Sequence, residues 1–272
     1  FAGLRLVALD GSCFELPDEV DNVAVFGRPG SRTGFAAYPQ ARCAVLVECA
    51  SHAILGANLG PYRTDEWDIC EPLLEQLRPD MLCLADRGFD GFEYWRKARQ
   101  TGAQLLWRCM KDRRLPVLRR LEDGSYLSAI CPPKVGRARA ADEAIEVRVI
   151  EYSLPGVPSP PGHDAPEPRY RLLTSLLDER IAPAQDLAGL YHTRWHDEGV
   201  FDEMKTHLLK GRRVLRSKTP ELVRQEFYGW VLAHYAVRWL LHQGAARHPE
   251  PHATRSFTRH LHLLRRAQPQ SG

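Results

Sequence analysis

The sequence from residue 191 to residue 205 reads Tyr191-His-Thr-Arg194-Trp-His-Asp-Glu198-Gly-Val-Phe-Asp-Glu-Met-Lys205. If the stretch is one helix, at about 100° of rotation per residue, its phenol, guanidinium, carboxylate and ammonium fall within roughly 60° of arc. These groups belong to Tyr191, Arg194, Glu198 and Lys205. A carboxylate flanked by phosphate-binding groups suits a site that holds a divalent metal against a nucleic-acid backbone. Mixed charges at helical spacing are also typical of a solvated helix face, so the spacing alone leaves both interpretations open.

The composition narrows the class of protein. With 272 residues, of which 44% are hydrophobic, the chain can bury a core as one large domain or as a domain with an inserted module. No apolar run approaches the roughly 20 residues that a membrane span requires, so we expect a soluble protein with no membrane partner. Seven cysteines are scattered without the spacing of metal ligands, which favours reduced thiols in the cytoplasm. The sequence begins at Phe1 rather than at a methionine, and we expect it to be part of a longer chain.

Charge is distributed unevenly along the sequence. Residues 1–180 contain 23 Lys and Arg against 26 Asp and Glu, whereas residues 181–272 contain 14 against 8. Nine of the eleven histidines also lie in this second, basic segment. The charge balance therefore predicts a polyanionic partner for the C-terminal third, with nucleic acid as the leading candidate.

Two aspartates follow apolar runs that are typical of buried strands. Residues 4–9 form a run that ends at Asp10, and residues 81–85 form another that ends at Asp86. For the sequence around them we predict a loop at 14–40, a hairpin of strands 44–50 and 53–59, helices 64–77 and 91–101, and a strand 104–110. This order of elements predicts an α/β fold in which helices lie on the faces of a mixed sheet.

The pattern changes from residue 111 onward. Strand-like pieces at 115–121, 126–130, 144–152 and 170–175 alternate with turns and with a proline-rich linker at 154–168. Helices are predicted at 184–209, which includes the opening stretch, and at 220–243. We therefore predict four parts, which are the first part of a catalytic core (1–110), a β-rich insertion (111–180), the second part of the core (181–245) and a basic tail (246–272).

Three carboxylates can converge in this arrangement. Asp10 and Asp86 would meet Glu198 if the two predicted strands are neighbours and the helix packs across their ends. Carboxylates within a few ångströms raise each other's pKa unless a cation neutralises them, so convergence predicts Mg²⁺ or Mn²⁺. Two such ions, roughly 3.5 to 4 Å apart, can activate a water or a 3′-hydroxyl and stabilise the leaving oxygen of a phosphoryl transfer. The oxygen-only ligand set disfavours zinc.

These motifs resemble the catalytic domain of DDE transposases of the insertion sequence 4 type. The matching motifs are Leu-Asp-Gly-Ser around Asp10, Leu-Ala-Asp-Arg-Gly-Phe around Asp86 and the Tyr-Arg-Glu-Lys signature of the opening stretch, in family order over residues 4–240. The resemblance implies an RNase H-like fold with a β-rich insertion ahead of the glutamate. It also implies roles for six residues, with Asp10, Asp86 and Glu198 as the catalytic metal ligands and Tyr191, Arg194 and Lys205 on DNA phosphates near the cleaved bond.

Further side chains are candidates for contact with DNA. Trp195 can stack on a base or a sugar or pack in the core, and Arg87 can position a phosphate or form a surface ion pair. Arginines of the predicted loop and of the basic run 210–218 can follow a DNA backbone, which would make affinity fall steeply with salt, or serve solubility. They are Arg28, Arg32 and Arg42 near the loop and Arg212 and Arg213 in the run.

Three functions fit this sequence. The first is DNA transposition, in which one site cleaves transposon ends and joins them to target DNA, with a homodimer that cleaves in trans as the resemblance implies. The second is a metal-dependent nuclease on the same fold, and the third is a non-catalytic DNA-binding remnant of a transposase. Joining of pre-cleaved ends distinguishes the first function from the second, and metal binding distinguishes both from the third.

Overall fold

Nine strands form one mixed sheet in the computed structural model, which describes residues 1–31, 34–110, 112–133, 142–153, 169–196, 199–211, 214–247 and 257–267. The order across the sheet is β5-β4-β1-β6-β7-β11-β10-β9-β8. The strands of this sheet are β1 (Arg5–Glu15), β4 (Gln40–Glu48), β5 (Ile54–Pro61), β6 (Met81–Ala85), β7 (Gln104–Arg108), β8 (Arg119–Arg120), β9 (Tyr126–Ile130), β10 (Ile145–Ser153) and β11 (Arg169–Thr174). Two short strands, β2 (Gly30–Ser31) and β3 (Gly34–Phe35), pair separately.

Helices flank the sheet. They are α1 (Val20–Phe26), α2 (Glu66–Cys70), α3 (Phe92–Gln100), α4 (Ala184–His196), α5 (Gly199–Asp202), α6 (Pro220–Arg247) and α7 (Phe257–Ala267). Short 3₁₀ helices span Glu71–Gln76 and Arg87–Phe89, and a π-helical turn spans Glu203–Leu208. Among the described residues, no helix combines the length and the apolar character that crossing a membrane requires.

The first of two compact units comprises Phe1–Ala8 and Leu77–Trp195. Here β1 runs parallel to β6, with pairs from Arg5↔Met81 to Ala8↔Leu84, and β6 runs parallel to β7. The strands β11, β10, β9 and β8 continue from β7 in antiparallel pairs. All five residues of β6 are buried, as expected for a parallel strand with both faces covered. On one face, Trp95 of α3 packs edge-on against Trp107 of β7, with ring centroids 5.0 Å apart.

A buried arginine connects the β-rich part of this unit to the start of α4. Arg148 is fully buried and donates to the Ser125 hydroxyl at 2.7 Å, to the Ala182 carbonyl at 2.6 Å and to the Asp123 carboxylate. The same Asp123 carboxylate accepts the backbone N–H of Ala184, the first residue of α4, at 2.8 Å. A carboxylate at a helix N-terminus satisfies a backbone donor and stabilises the helix.

The second unit comprises Leu9–Gln76 and His196–Gly272. Its hairpin of β4 and β5 pairs from Ala41↔Pro61 to Val47↔Ile54, with a register shift between Leu46 and Val47. The core of the unit is apolar and includes Phe14 of β1, Phe26 of α1 and Phe227 of α6. Pro220 begins α6, where its missing N–H costs no helical hydrogen bond.

The structure confirms the α/β class and several elements. Strands 81–85 and 126–130 have the predicted bounds, and strands 104–108, 145–153 and 169–174 lie within two residues of prediction. The hairpin is also present, with longer strands than predicted. The four strands expected in a β-rich insertion belong to the same sheet as β6 and β7.

Other elements differ from the predictions. The first strand runs through Asp10 to Glu15 instead of ending at Asp10, because it has β4 as a neighbour in the sheet and Glu15 at its end bridges to Val214. The predicted loop 14–40 contains α1, which the buried side chain of Asn22 anchors by donating to Pro17 and Ser217 carbonyls. The predicted helix 64–77 changes from α to 3₁₀ after Cys70, and strand 115–121 is reduced to β8. Helix 184–209 is not uniform, since it ends as a π turn.

Candidate active site

Asp86 directly follows the last residue of β6 in the first unit. Its Oδ1 accepts the backbone N–H of Arg87 at 2.6 Å and thereby caps the 3₁₀ helix Arg87–Phe89. The Asp86 side chain is about one-third exposed, at 36%, so it can reach a solvent-borne ligand. Arg87 is exposed beside it.

Arg108, which the motifs of the sequence do not include, lies beside Asp86. Because β6 and β7 are parallel and Ala85 pairs with Trp107, Asp86 and Arg108 follow at the same edge of the sheet. The Arg108 Nη1 lies 3.9 Å from Asp86 Oδ1, and its guanidinium stacks on the Tyr170 ring at 4.8 Å. The predicted strand 104–110 already contained this arginine, but only the parallel register brings it beside the aspartate.

Tyr191 lies in the core of the first unit. Its side chain is fully buried and its hydroxyl donates to the Ala85 carbonyl at 3.4 Å. The neighbouring His192 packs edge-on against Tyr152 and Tyr170, and burial together with the charge of Arg108 lowers the pKa of His192. Contact of Tyr191 with a DNA phosphate stays a prediction.

In the second unit, Lys205 is bound to the strand that carries Asp10. Its Nζ donates to the Ser12 hydroxyl at 2.5 Å and to the Cys13 carbonyl at 2.9 Å, and it lies 5.0 Å from the centre of the Phe14 ring. A cavity of about 350 Å³ adjoins the ammonium and is lined by Cys13, Phe14, Glu15, Gln40, Lys205, Thr206 and Gly211. Lys205 therefore supports the strand two residues beyond Asp10.

A second carboxylate, that of Glu66, lies close to the residue that follows Asp10. Asp10 Oδ1 accepts the backbone N–H of Gly11 at 2.9 Å. The Glu66 carboxylate of α2 approaches the Gly11 backbone so closely that a β-carbon at position 11 would collide with it. The sequence does not predict Glu66 at this place, because nothing in the chain order relates α2 to β1.

The remaining predicted residues fall into two groups. Arg28 is tied to its own segment, since it donates to the Ala36 and Ala37 carbonyls and to the Asp18 carboxylate. Arg42 contacts the Tyr62 carbonyl and ring. Glu198, Arg32, Arg212 and Arg213 lie outside the described residues, as do the side chains of Arg194 and Trp195. Among the described residues, no group of three or more His, Cys, Asp or Glu side chains is arranged to hold a metal ion.

Comparison with known proteins identifies the family of this chain. The family described as Transposase DDE domain matches residues 2–236. The transposase InsG of insertion sequence element IS4 from Escherichia coli K12 is 28% identical over 243 residues, which cover 88% of this chain and 52% of InsG. The putative transposase InsZ of the same organism is 29% identical over 106 residues, which cover 39% of this chain and 36% of InsZ. The chain thus spans about half the length, or less, of these relatives.

A solved structure shares the fold. The piggyBac transposase, in a cryo-EM structure of its synaptic complex with hairpin DNA, superimposes with a TM-score of 0.58 at 9% identity. The match covers 98% of this chain and 55% of that one. At this identity the likeness concerns the fold alone. The family match over residues 2–236 is the decisive observation, and by it this chain belongs to the Transposase DDE domain family.

Proposed function

We propose that this chain is the catalytic domain of a DNA transposase, which cleaves transposon ends and joins them to target DNA in a metal-dependent reaction. The family match carries the proposal. The strand register supports it, because Asp10 and Asp86 each lie two residues beyond the last pair of β1 and β6, Ala8↔Leu84. Parallel strands of an RNase H-like core would carry two such aspartates at one edge, with Glu198 as the third ligand.

The donor atoms fit a hard divalent cation. In each aspartate motif, Oδ1 accepts the N–H of the following residue, Gly11 after Asp10 and Arg87 after Asp86. This shared geometry orients both carboxylates in the same local way, and carboxylate oxygens are the ligands that Mg²⁺ and Mn²⁺ prefer. Asp10, Asp86 and Glu198 would hold two ions, which when bound would activate a water or a 3′-hydroxyl and stabilise the leaving oxygen.

Basic residues around the aspartates would handle the phosphate. Arg108 orients the Asp86 carboxylate and offers a guanidinium to an incoming phosphate, with Tyr170 fixing its plane. The Lys205 ammonium has three N–H donors, and it donates two hydrogen bonds, to Ser12 and to Cys13. The third donor can reach a phosphate in the adjoining cavity. We further propose DNA contacts for Tyr191, Arg194, Trp195, Arg87, Arg28, Arg32, Arg212 and Arg213.

The wider assignments are also proposals. A basic C-terminal third suits transposon ends and target DNA as partners, and a homodimer would bring two such sites to the two ends of an element. The seven cysteines are thiols rather than disulfides, and we propose a cytoplasmic location for the chain. The division into a core at 1–110 and 181–245, an insertion at 111–180 and a tail at 246–272 stays a prediction.

Metal binding and strand joining test the proposal together. Asp86→Ala should abolish Mn²⁺ binding, measured by calorimetry, and both the cleavage and the joining of transposon ends. Asp80→Ala is the matched control, since Asp80 is exposed at the other end of β6. Cleavage without joining of pre-cleaved ends by the wild-type protein would identify a nuclease instead. Unchanged Mn²⁺ binding by Asp86→Ala would show that the aspartates do not share a metal site.

A further inference from the structure

A buried carboxylate lies within the signature stretch but has no part in the proposed metal site. Glu203 begins the π turn Glu203–Leu208, five residues after Glu198 and two before Lys205, and it is only 7% exposed. Its Oε2 lies 2.7 Å from His234 Nε2 and accepts Arg238 Nε at 3.1 Å, while Oε1 accepts Arg238 Nη2. Buried charges require such partners, because an unpaired carboxylate would lose its hydration without compensation.

A fourth residue connects this group to the residue that follows Glu198. His52, in the turn between β4 and β5, lies with its Nδ1 2.9 Å from Arg238 Nη2 and 3.7 Å from Glu203 Oε1. The same ring packs on Gly199, where a β-carbon would stand 3.4 Å from His52 Cε1. His52, Glu203, His234 and Arg238 are called the Glu203 cluster below. This cluster contacts the chain on both sides of residues 200–202.

An aromatic ring covers part of the cluster. Phe257 of α7 stacks on His234 at a centroid distance of 5.3 Å and lies under the Arg238 guanidinium at 5.2 Å. Burial by itself raises the pKa of Glu203, but the hydrogen bond with His234, the nearby His52 and the charge of Arg238 outweigh burial and lower that pKa to about 2. The carboxylate is therefore ionised and fully engaged at neutral pH.

The π turn explains why such an anchor is needed. Leu209 N–H donates to the Met204 carbonyl, five residues back, so the wider turn replaces regular α-helical bonds immediately beside Lys205. Single π turns inside helices are uncommon and occur frequently at functional sites. In this turn, Glu203 points to α6 while Lys205 reaches Ser12 and Cys13 of β1.

We propose that Glu203 is a positioning residue, which through its cluster fixes the backbone between Glu198 and Lys205 for the phosphoryl-transfer reaction. This inference rests on the proposed function, because it assigns Glu203 a role in that same site. The alternative is a buried ion pair that stabilises the fold without affecting catalysis, as many buried pairs do. The two alternatives differ in whether the turnover rate changes in a protein that remains folded.

The experiment compares Glu203→Gln with Asp202→Asn in the intact protein. Both variants replace one carboxylate by an amide on adjacent residues, but the Asp202 side chain is 58% exposed and contacts Thr206 and His207. We expect kcat for end cleavage and joining with Mn²⁺ to fall about 100-fold in Glu203→Gln, since misplacement by about 1 Å can cost that much. KM for DNA ends should change less than about twofold, and Asp202→Asn should match wild type.

Hydrogen exchange provides a second measurement that does not depend on catalysis. In Glu203→Gln without metal, amides of residues 199–208 should exchange at least about tenfold faster than in wild type or in Asp202→Asn, because this segment would open locally. If Glu203→Gln does not fold, His52→Ala takes its place, since His52 lies at the partly exposed edge of the cluster. It should show the faster exchange together with about a tenfold fall in kcat.

The outcomes separate this inference from the proposed function. If the wild type is active and the folded Glu203→Gln variant is equally active, the positioning role is overturned and the transposase proposal stays intact. An equally active His52→Ala has the same meaning. Unchanged exchange in residues 199–208 overturns it as well. A wild-type protein that neither cleaves nor joins DNA ends in the presence of metal refutes the proposed function itself.

Discussion

Removal of the Glu203 charge should change how the stability of the protein depends on pH. The folded-state pKa of Glu203 is about 2, compared with an ordinary value of 4.5. A depressed carboxyl pKa contributes stability above the ordinary value, and this contribution is lost as the pH falls through the folded-state value. At about 1.4 kcal/mol per pKa unit, the shift corresponds to about 3 kcal/mol, of which about 2 kcal/mol is lost between pH 5 and pH 3.

Urea unfolding of wild type and Glu203→Gln at pH 5, 4 and 3 measures this contribution. The difference in unfolding free energy between the two proteins should shrink by about 2 kcal/mol over that range, because only wild type must protonate the carboxylate. His234 adds its own acid sensitivity to both proteins, since burial lowers its pKa from 6.5. Arg238 and His52 are the other charged or titratable partners that face Glu203.

Salt provides the control for this measurement. The difference should persist in about 0.5 M NaCl, because buried charges are screened far less than exposed ones. Parallel free-energy curves for the two proteins between pH 5 and pH 3 would refute the reasoning, since they would mean that Glu203 gains nothing from its partners in the folded state. A difference that disappears with salt would indicate exposed charges as its source.

Three further predictions concern other parts of the chain. Asp123→Asn should lower the unfolding free energy by about 3 to 5 kcal/mol in urea titrations, because it leaves the buried Arg148 without its counter-ion. Glu122→Gln, at the exposed neighbouring position, should lower it by less than about 0.5 kcal/mol. Lys205→Ala should lower strand joining by about 100-fold in a gel assay with pre-cleaved ends, and Lys97→Ala, on α3 and outside the basic run, should leave it unchanged; equal losses in both would contradict a specific role. Mass spectrometry after brief iodoacetamide treatment at pH 8 should find the exposed Cys131 modified first, while Cys109, whose pKa burial raises to about 12, stays unmodified until the protein unfolds.

The strands that could be predicted best from the sequence are those formed by continuous apolar runs. Met81–Ala85 is buried throughout and ends at a charged residue, so composition alone sets its bounds. The extension of β1 past Asp10 could not be predicted, because Gly11 and Ser12 carry no strand signal and the pairing partner of Glu15 lies about 200 residues away. Long-range pairing of this kind is a tertiary effect that local pattern does not contain.

Part of the Glu203 cluster can be predicted from the sequence of α6. His234 and Arg238 interrupt the apolar pattern of residues 220–243. Taken without their spacing, these polar residues indicate only that the segment does not span a membrane. On the helix, however, they are four residues apart and share a face with the buried Val223, Phe227 and Leu241. Polar side chains on the apolar face of a helix require a buried partner, so their spacing predicts one. Its identity as Glu203 depends on the π turn, which the regular 100° rotation per residue does not describe.

The structure also changes the meaning of the signature residues. Tyr191 and Lys205 were predicted to bind DNA from one helix face, but each contacts the backbone beside a proposed metal ligand. Tyr191 donates to the carbonyl of Ala85, the residue before Asp86, and Lys205 donates to residues two and three positions after Asp10. A variant at either position would therefore displace an aspartate even if its side chain never touched DNA. Loss of catalysis in such variants cannot by itself identify a phosphate contact, and DNA affinity at constant salt must be measured beside kcat to separate the two roles.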